Sequence, residues 1–516
     1  MSCDKSMSFD ECELAILRAA VDKIDKKAGK NKINNPEVQD IIEIVESFLK
    51  STKRICYGGT AINNILPLED QFYDKDVELP DYDFFSPNPL NDAKKLADIY
   101  YDRGFMEVEA KSGVHAGTFK VYVNFIPVAD ITYLVPELFN KLKKKTIQVN
   151  GIHYSPPNYL RMAMYLELSR PAGDVSRWEK VLKRLTLLNK HYPLRGKNCN
   201  VDDIQRLFQY GTKKSLSMKG GKKKFKAPDT YLEEEEFLSN IEEKIFFIVR
   251  NTLIDQGCIF FGAFANRLYL KDLKKFKKNK IPKIPDFDVL SEDPQASARI
   301  LKERLEDAGV KKVSIKEKKG VGEIIAPHYE IAVGPESVVF IYEPLACHSY
   351  NVINLKGRNI RIATLDTMLS FYLAFIYANR PYYNENRILC MSQFLFKVQQ
   401  KNRLRQKGIL RRFSMECYGK QATLESMRQE KTEKFKELKN KKGTKDYEWY
   451  FLRYVPAEED KDYNPDDEKK KNKKKKKKKT KKKTKKQNKP KKKTKKKTRK
   501  KRKKKTFLSR LGFGGR

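Results

Sequence analysis

The chain has 516 residues with 109 Lys and Arg against 66 Asp and Glu, a formal net charge of +43. The charge is uneven: 29 of the 37 residues from Lys469 to Lys505 are basic and none is acidic, while residues 1–468 carry 78 basic and 66 acidic side chains. Such a balance, a moderately basic body with a very basic tail, points to polyanion partners, nucleic acid first. The eight cysteines, Cys3, Cys12, Cys56, Cys199, Cys258, Cys347, Cys390 and Cys417, are far apart and form no CxxC pair. That spacing predicts reduced thiols in an intracellular protein and no zinc ribbon. No apolar run approaches the ~18 residues of a membrane span, and Met1–Asp10 has no signal-peptide core.

Residues 8–50 read as two helices, since Ile16, Ala20, Ile24 and then Val38, Ile41, Val45 and Phe48 recur at helical spacing. Asn35-Pro36 marks the start of the second. Alternating strand-like and helix-like runs fill 54–190 and again 250–400. Between them, Gly211–Lys226 holds seven lysines and no acid, residues 195–230 read as a linker or long surface loop, and Glu233–Glu236 open a helix through Arg250.

The two runs resemble each other. Tyr57-Gly58-Gly59-Thr60 matches Phe261-Gly262-Ala263-Phe264, and Pro80-Asp81-Tyr82-Asp83 matches Pro285-Asp286-Phe287-Asp288. Phe125–Asp130 then aligns with Phe340–Cys347, and Tyr165…Arg170-Pro171 with Tyr372…Arg380-Pro381. Landmarks in one order predict an α/β unit present twice.

In the first copy, Gly58-Gly59 lets backbone approach a phosphate at a helix start, with Thr60 a candidate N-cap. A Gly-Gly turn alone is weak evidence. Asp81-Tyr82-Asp83 reads as strand, which turns both carboxylates to one side. Two like charges side by side suit a divalent cation such as Mg2+. Thr118–Ile126 alternates as a strand, and Val128–Tyr133 continues it past Pro127. That places Asp130 among apolar neighbours as a third ligand.

Gly-Gly-Thr, a strand Asp-x-Asp and a third strand Asp together resemble the nucleotidyltransferase superfamily of DNA polymerase beta type. Tyr57–Leu66, Leu79–Asn88, Phe125–Leu134 and Ile152–Leu185, the last with His153-Tyr-Ser-Pro-Pro157 and Ser169-Arg-Pro171, resemble more narrowly the poly(A) polymerase catalytic subunit of poxviruses and giant DNA viruses. The resemblance covers roughly residues 50–400. It implies an α/β (α+β) fold with two tandem nucleotidyltransferase-like domains, the second degenerate, flanking helices and a disordered Lys-rich tail.

The domains expected are a helical region at 1–50, a catalytic domain at 51–195 and a basic linker at 196–235. A degenerate domain at 236–420, a helical extension at 421–465 and the tail at 466–516 follow. The resemblance further implies template-independent addition of AMP from ATP to the 3′ end of mRNA. Asp81, Asp83 and Asp130 would hold two Mg2+ (or Mn2+) ions, about 3.5–4 Å apart in such sites. Gly58, Gly59 and Thr60 would hold the ATP triphosphate. Another terminal nucleotidyltransferase using UTP or CTP/ATP, or a non-catalytic RNA-binding or virion protein on the same fold, are the alternatives.

Cys347 in the place of Asp130, and Ala263 in the place of Gly59, predict a silent second copy, since a thiol is a poor Mg2+ ligand. The five histidines show no metal spacing. The partners expected are the RNA 3′ end and ATP, with no membrane, and a homodimer or viral processivity partner is left open. The place expected is the host cytoplasm at the viral factory, with packaging in the virion also open. The Lys-rich tail reads as an RNA tether or a targeting signal.

Overall fold

The computed structural model describes residues 6–74, 76–199, 241–270, 286–355, 357–378, 380 and 382–459. The basic segment 211–226, Glu233–Glu236, Pro285, Pro381 and the Lys-rich tail lie outside the described residues.

Helices α1 (Phe9–Ile33) and α2 (Pro36–Thr52) open the chain. Ser8 and Glu11 form a capping box on α1, and the Asn35 side chain accepts from the Glu37 N–H with Pro36 in the first turn of α2. The apolar face of α2, Val38, Ile41, Ile44, Val45, Phe48 and Leu49, is buried. That of α1 is not: Ile16 and Ile24 are exposed, so the periodicity predicted the helix but not its burial.

There follow β1 (Ile55–Cys56), α3 (Gly58–Ile65), β2 (Tyr82–Ser86), α4 (Pro89–Asp102), β3 (Val108–Ser112), β4 (Thr118–Val123), β5 (Ile126–Tyr133), α5 (Pro136–Lys143), β6 (Ile147–Val149), β7 (Ile152–Tyr154), α6 (Pro157–Leu168) and α7 (Trp178–His191). The second half holds α8 (Ile241–Asp255), β8 (Ile259–Phe261), α9 (Gly262–Leu270), β9 (Phe287–Leu290), α10 (Pro294–Asp307), β10 (Val313–Lys318), β11 (His328–Val333), β12 (Glu336–Tyr342), β13 (His348–Leu355), β14 (Arg358–Ala363), α11 (Leu365–Phe375) and α12 (Glu385–Lys401). After it come β15 (Cys417–Tyr418), α13 (Leu424–Leu438), α14 (Lys445–Phe451) and β16 (Arg453–Tyr454).

Two eight-stranded sheets result, in the orders β16-β3-β4-β5-β2-β1-β7-β6 and β10-β11-β12-β9-β8-β14-β13-β15. Seven strands of each, β3 through β6 and β10 through β13, match in order and direction: β2 runs parallel to β5 as β9 does to β12, and β1 antiparallel to β2 as β8 does to β9. The duplication read in the sequence is therefore a duplication of fold. The edges differ. β16 returns from the C-terminal side to close the β3 edge, whereas β15 closes the β13 edge.

Thr118–Tyr133 is a hairpin, not one strand continued past Pro127. Asn124 and Phe125 both take positive φ (50° and 65°), which reverses the chain tightly between β4 and β5. Among the cysteines, Cys199 pairs with Cys390 and Cys347 with Cys417, and Cys12 is also in a disulfide; Cys56 and Cys258 are free and buried. The expectation of reduced thiols fails because the fold brings Cα atoms to 5.4 Å and 5.1 Å across separations of 191 and 70 residues.

The halves share one core. The equivalent helices α6 and α11 pack on each other, every residue of α11 is buried, and the Ser349 N–H donates to the Ser169 carbonyl at 2.8 Å. Beside this seam Asp366 is wholly buried and accepts a forked pair from Arg412, with Nη2 to Oδ1 at 2.8 Å and Nε to Oδ2 at 2.9 Å. Removing one partner strands a buried charge. Arg412→Ala should therefore cost about 3–5 kcal/mol of stability, and Arg412→Leu with Asp366→Leu together less, read by denaturant unfolding of both variants.

Candidate active site

β1 delivers the chain to Gly58, whose φ is +72°. A Cβ there would lie 2.7 Å from Asp83 Oδ2, so this position needs glycine twice over: for its backbone and for its neighbour. α3 begins at Gly58 itself, ahead of the start that a Thr60 N-cap predicts. Tyr57 stands at its N-cap and offers no side-chain cap. The first N–H groups of the helix thus remain for a ligand. Thr60 is not the N-cap. It sits inside the first turn, nearly buried, and its hydroxyl donates to the Asp81 carbonyl at 2.6 Å. The Tyr57 N–H donates to the Asp83 carbonyl at 2.9 Å. Both bonds tie the helix start to the acidic strand.

Asp83 lies on β2 directly beside Asp130 on the parallel strand β5, and Asp81 precedes β2 on the Asp83 side. The structure therefore gathers the three sequence-predicted acids with Gly58. Tyr82, between the two acids, points the other way and donates to Glu46 Oε1 at 2.7 Å.

The acids repel. Burial, then Asp81, then Asp130 push the Asp83 carboxyl up to about 7, against the charges of Lys120 and Arg177. Burial and Asp130 raise Asp81 as well. Lys120 on β4 stands opposite Asp130 and forms an ion pair with it. Among the described residues no three acidic, His or Cys side chains are already closed around one point as a metal cage. The donor set nevertheless fits a divalent cation: oxygen-only ligands, a surplus of negative charge, and a lysine ammonium supplying positive charge at one of them.

Lys120, Arg177 and Arg184 escaped the sequence reading. The alternation of β4 sets Thr118, Lys120 and Tyr122 on one side and so marks Lys120; Arg177 lies in the turn just before α7 and Arg184 on α7, with no motif around either. The histidines behave as expected. His153 bonds Thr146 and Gln148, His191 pairs with Asp70, and His328 and His348 are buried against rings.

In the second copy Gly262 also has φ +72° and abuts Asp288. The residue beside Asp288 on β12, however, is Phe340, not Cys347. Cys347 lies beyond the end of β12, in its disulfide with Cys417. The linear alignment failed because it set Phe125, at the β4–β5 turn, against Phe340, in mid-strand. By the same register the Lys120 position is Glu330, which pairs with Lys318. Asp286 and Asp288 are 1% and 7% exposed, whereas Asp81 is open to solvent. The second copy lacks the third acid and the lysine, and its remaining acids are enclosed.

Residues 43–174 match the family model of the poly(A) polymerase catalytic subunit. A relative from African swine fever virus (strain Badajoz 1971 Vero-adapted), provisionally named poly(A) polymerase catalytic subunit, is 36% identical over 173 residues, which is 32% of this chain and 36% of the relative. A protein of the same provisional name from Acanthamoeba polyphaga mimivirus is 33% identical over 172 residues, 32% of this chain and 29% of that protein. The matches thus span about a third of the curated relatives' length, and the family segment 43–174 contains Gly58, Asp81, Asp83 and Asp130. The crystal structure of the Megavirus polyadenylate synthase superposes with a TM-score of 0.66 at 19% identity, covering 89% of this chain and 88% of that one. This chain shares that fold.

A raised carboxyl fixes a sign. Asp83 is held near 7, far above its unfolded value, so its contribution is stabilising while it is protonated and is lost as the pH rises through about 7. The metal-free protein should melt at lower temperature at about pH 8 than at about pH 6, Asp83→Asn should reduce that fall, and Mg2+ should raise the melting temperature more at the higher pH; calorimetry with and without Mg2+ checks all three.

Proposed function

We propose that the chain is a template-independent polynucleotide adenylyltransferase, adding AMP from ATP to mRNA 3′ ends in viral poly(A) tail synthesis. The observation that carries this reading is the meeting of Asp83 and Asp130 across β2 and β5, with Asp81 beside them, at the Gly58–Gly59 start of α3. The family match over 43–174 supports it.

Asp81, Asp83 and Asp130 would hold the divalent ions, Mg2+ or Mn2+, two of them on this reading, which when bound lower the pKa of the RNA 3′-hydroxyl and offset the charge of the departing pyrophosphate. The chain's own groups do the rest. The N–H groups of Gly58, Gly59 and Thr60 hold the triphosphate at the positive end of α3. The Thr60 hydroxyl fixes the backbone of Asp81, and the Tyr57 N–H that of Asp83, so ligand and phosphate positions move as one body. Lys120 pairs with Asp130 and holds it in place beside Asp83. The fixed charges act in a half-buried site, where they are worth more than in water.

On this reading residues 51–195 are catalytic and 236–420 a scaffold that frames the cleft. The partners are RNA and ATP, with a homodimer or processivity partner as further elements. Among the described residues no helix is long and apolar enough to cross a membrane. The viral sources of the relatives support action in the host cytoplasm, at the viral factory, with packaging in the virion.

Primer extension with each NTP separately tests the reading: ATP alone should extend RNA, and extension with UTP or CTP would replace the adenylyl assignment with another terminal transferase. Asp83→Asn should lose extension by a factor of at least about 10² while still binding RNA. Asp286→Asn with Asp288→Asn should extend as the wild type does. A fully active Asp83→Asn variant would remove the site assignment, and a wild type that binds RNA but adds no nucleotide would leave a non-catalytic RNA-binding protein.

A further inference from the structure

The two adjacent glycines at the start of α3 open toward opposite charges. A Cβ on Gly58 would meet the Asp83 carboxylate. A Cβ on Gly59 would meet the Tyr73 hydroxyl and, at 2.9 Å and 3.0 Å, the two terminal nitrogens of Arg184. The helix start therefore lies between the acidic cluster and a guanidinium that comes from α7, more than a hundred residues away.

Arg184 is held there by rings rather than by a carboxylate. Its guanidinium sits 4.9 Å from the Phe72 centroid and 5.5 Å from that of Tyr73, and Nη2 donates to the Tyr73 hydroxyl at 2.6 Å. Among the described residues it forms no ion pair, unlike its neighbour Lys183, which pairs with Glu179 at 2.6 Å. A cation set against the positive end of a helix, with Glu167 as a more distant counter-charge but no ion pair among the described residues, is an arrangement that the fold alone does not favour. An anion bound over Gly59 would relieve it.

We infer that Arg184, positioned by Tyr73, binds the non-reacting phosphates of ATP. The inference rests on the adenylyltransferase reading for the direction of the nucleotide. The reacting phosphate must face Asp81, Asp83 and Asp130, which lie on the Gly58 side. A triphosphate laid along Gly58–Gly59 then puts its far end under Arg184. A guanidinium there gives two parallel donors to phosphate oxygens, which Tyr73 orients. The small size of Gly59 has its reason in the same place: a methyl group would push Arg184 away, although the backbone there would accept it.

The test is equilibrium binding of ATP, inorganic tripolyphosphate and AMP to the full chain in Mg2+, with steady-state extension alongside. Arg184→Ala should weaken ATP and tripolyphosphate roughly tenfold to a hundredfold and leave AMP and RNA affinity unchanged. Arg184→Lys should recover part of that loss, Gly59→Ala should imitate it, and Lys183→Ala should bind and extend as the wild type does. Arg184→Gln replaces Arg184→Ala if the latter melts early. In extension, the Arg184 variants should raise KM for ATP at unchanged KM for RNA. Equal effects on ATP and AMP, or none on either, would overturn the inference while wild-type extension keeps the functional reading intact. A wild type that shows Arg184-dependent binding of tripolyphosphate but no extension would overturn the functional reading and keep the phosphate site. A wild type that binds neither ATP nor tripolyphosphate would end both.

Discussion

The arrangement turns on mutual repulsion among Asp81, Asp83 and Asp130. Folding sets two of them side by side on parallel strands and a third two residues upstream, and burial keeps water from screening them. Such a cluster persists only if the scaffold over-determines it. It does: β2 is hydrogen-bonded on both sides, to β1 and β5, and two further bonds from Tyr57 and Thr60 clamp the backbone of Asp83 and Asp81. The stacked rings of Tyr57 and Phe85, 4.0 Å apart, and the bond from Tyr57 to Thr132 tie the same strands from their side chains. Lys120 lowers the cost without removing it, since Asp83 stays raised to about 7. The strain is held where a divalent cation would release it.

That constraint explains the local sequence better than a phosphate-loop motif does. Gly58 is required by positive φ and by the Asp83 oxygen; Gly59 is required by Arg184 and Tyr73. The pair looks like one motif, yet its members answer to different neighbours. Thr60, which resembles a cap, is spent on the Asp81 carbonyl. The turn is thus shaped from three directions: by Asp83, by Arg184 with Tyr73, and by the Asp81 carbonyl.

Much of this was legible in the chain. The Asp-x-Asp spacing is local, and a strand's two-residue period converts it directly into a shared side. The same holds for α2, whose apolar spacing maps onto its buried face. What failed was non-local. Asn124 and Phe125 reverse the chain without a glycine, so a hairpin read as one strand. Cysteines 191 residues apart meet only because α12 and the segment after α7 do. Arg184 carries no signal, because its partners Phe72, Tyr73 and Gly59 lie in a different stretch of chain, and arginine on a helix surface is ordinarily solvated. Pair register across strands, the information that separates Asp130 from Phe340, is set by hydrogen bonding between segments and not by either segment's pattern.

The two copies show which features belong to the fold and which to the chemistry. Strand order, strand direction and the left-handed glycine at the start of the first helix recur in both, although only one copy keeps three acids. Gly262 and Asp288 are therefore explained by architecture: the chain must turn from strand into helix within reach of the neighbouring strand. The third acid, Lys120 and Gly59 are not needed for that, and they are what the second copy replaces with Phe340, Glu330 and Ala263. Phe340 in the place of Asp130 removes the third acid's repulsion, and Asp286 and Asp288 are enclosed. A copy relieved of binding can close its cleft and bury a helix completely, as α11 is buried against α6. The first copy, in contrast, keeps Asp81 exposed and Asp83 and Asp130 half-buried, so its acids stay within reach of a cation.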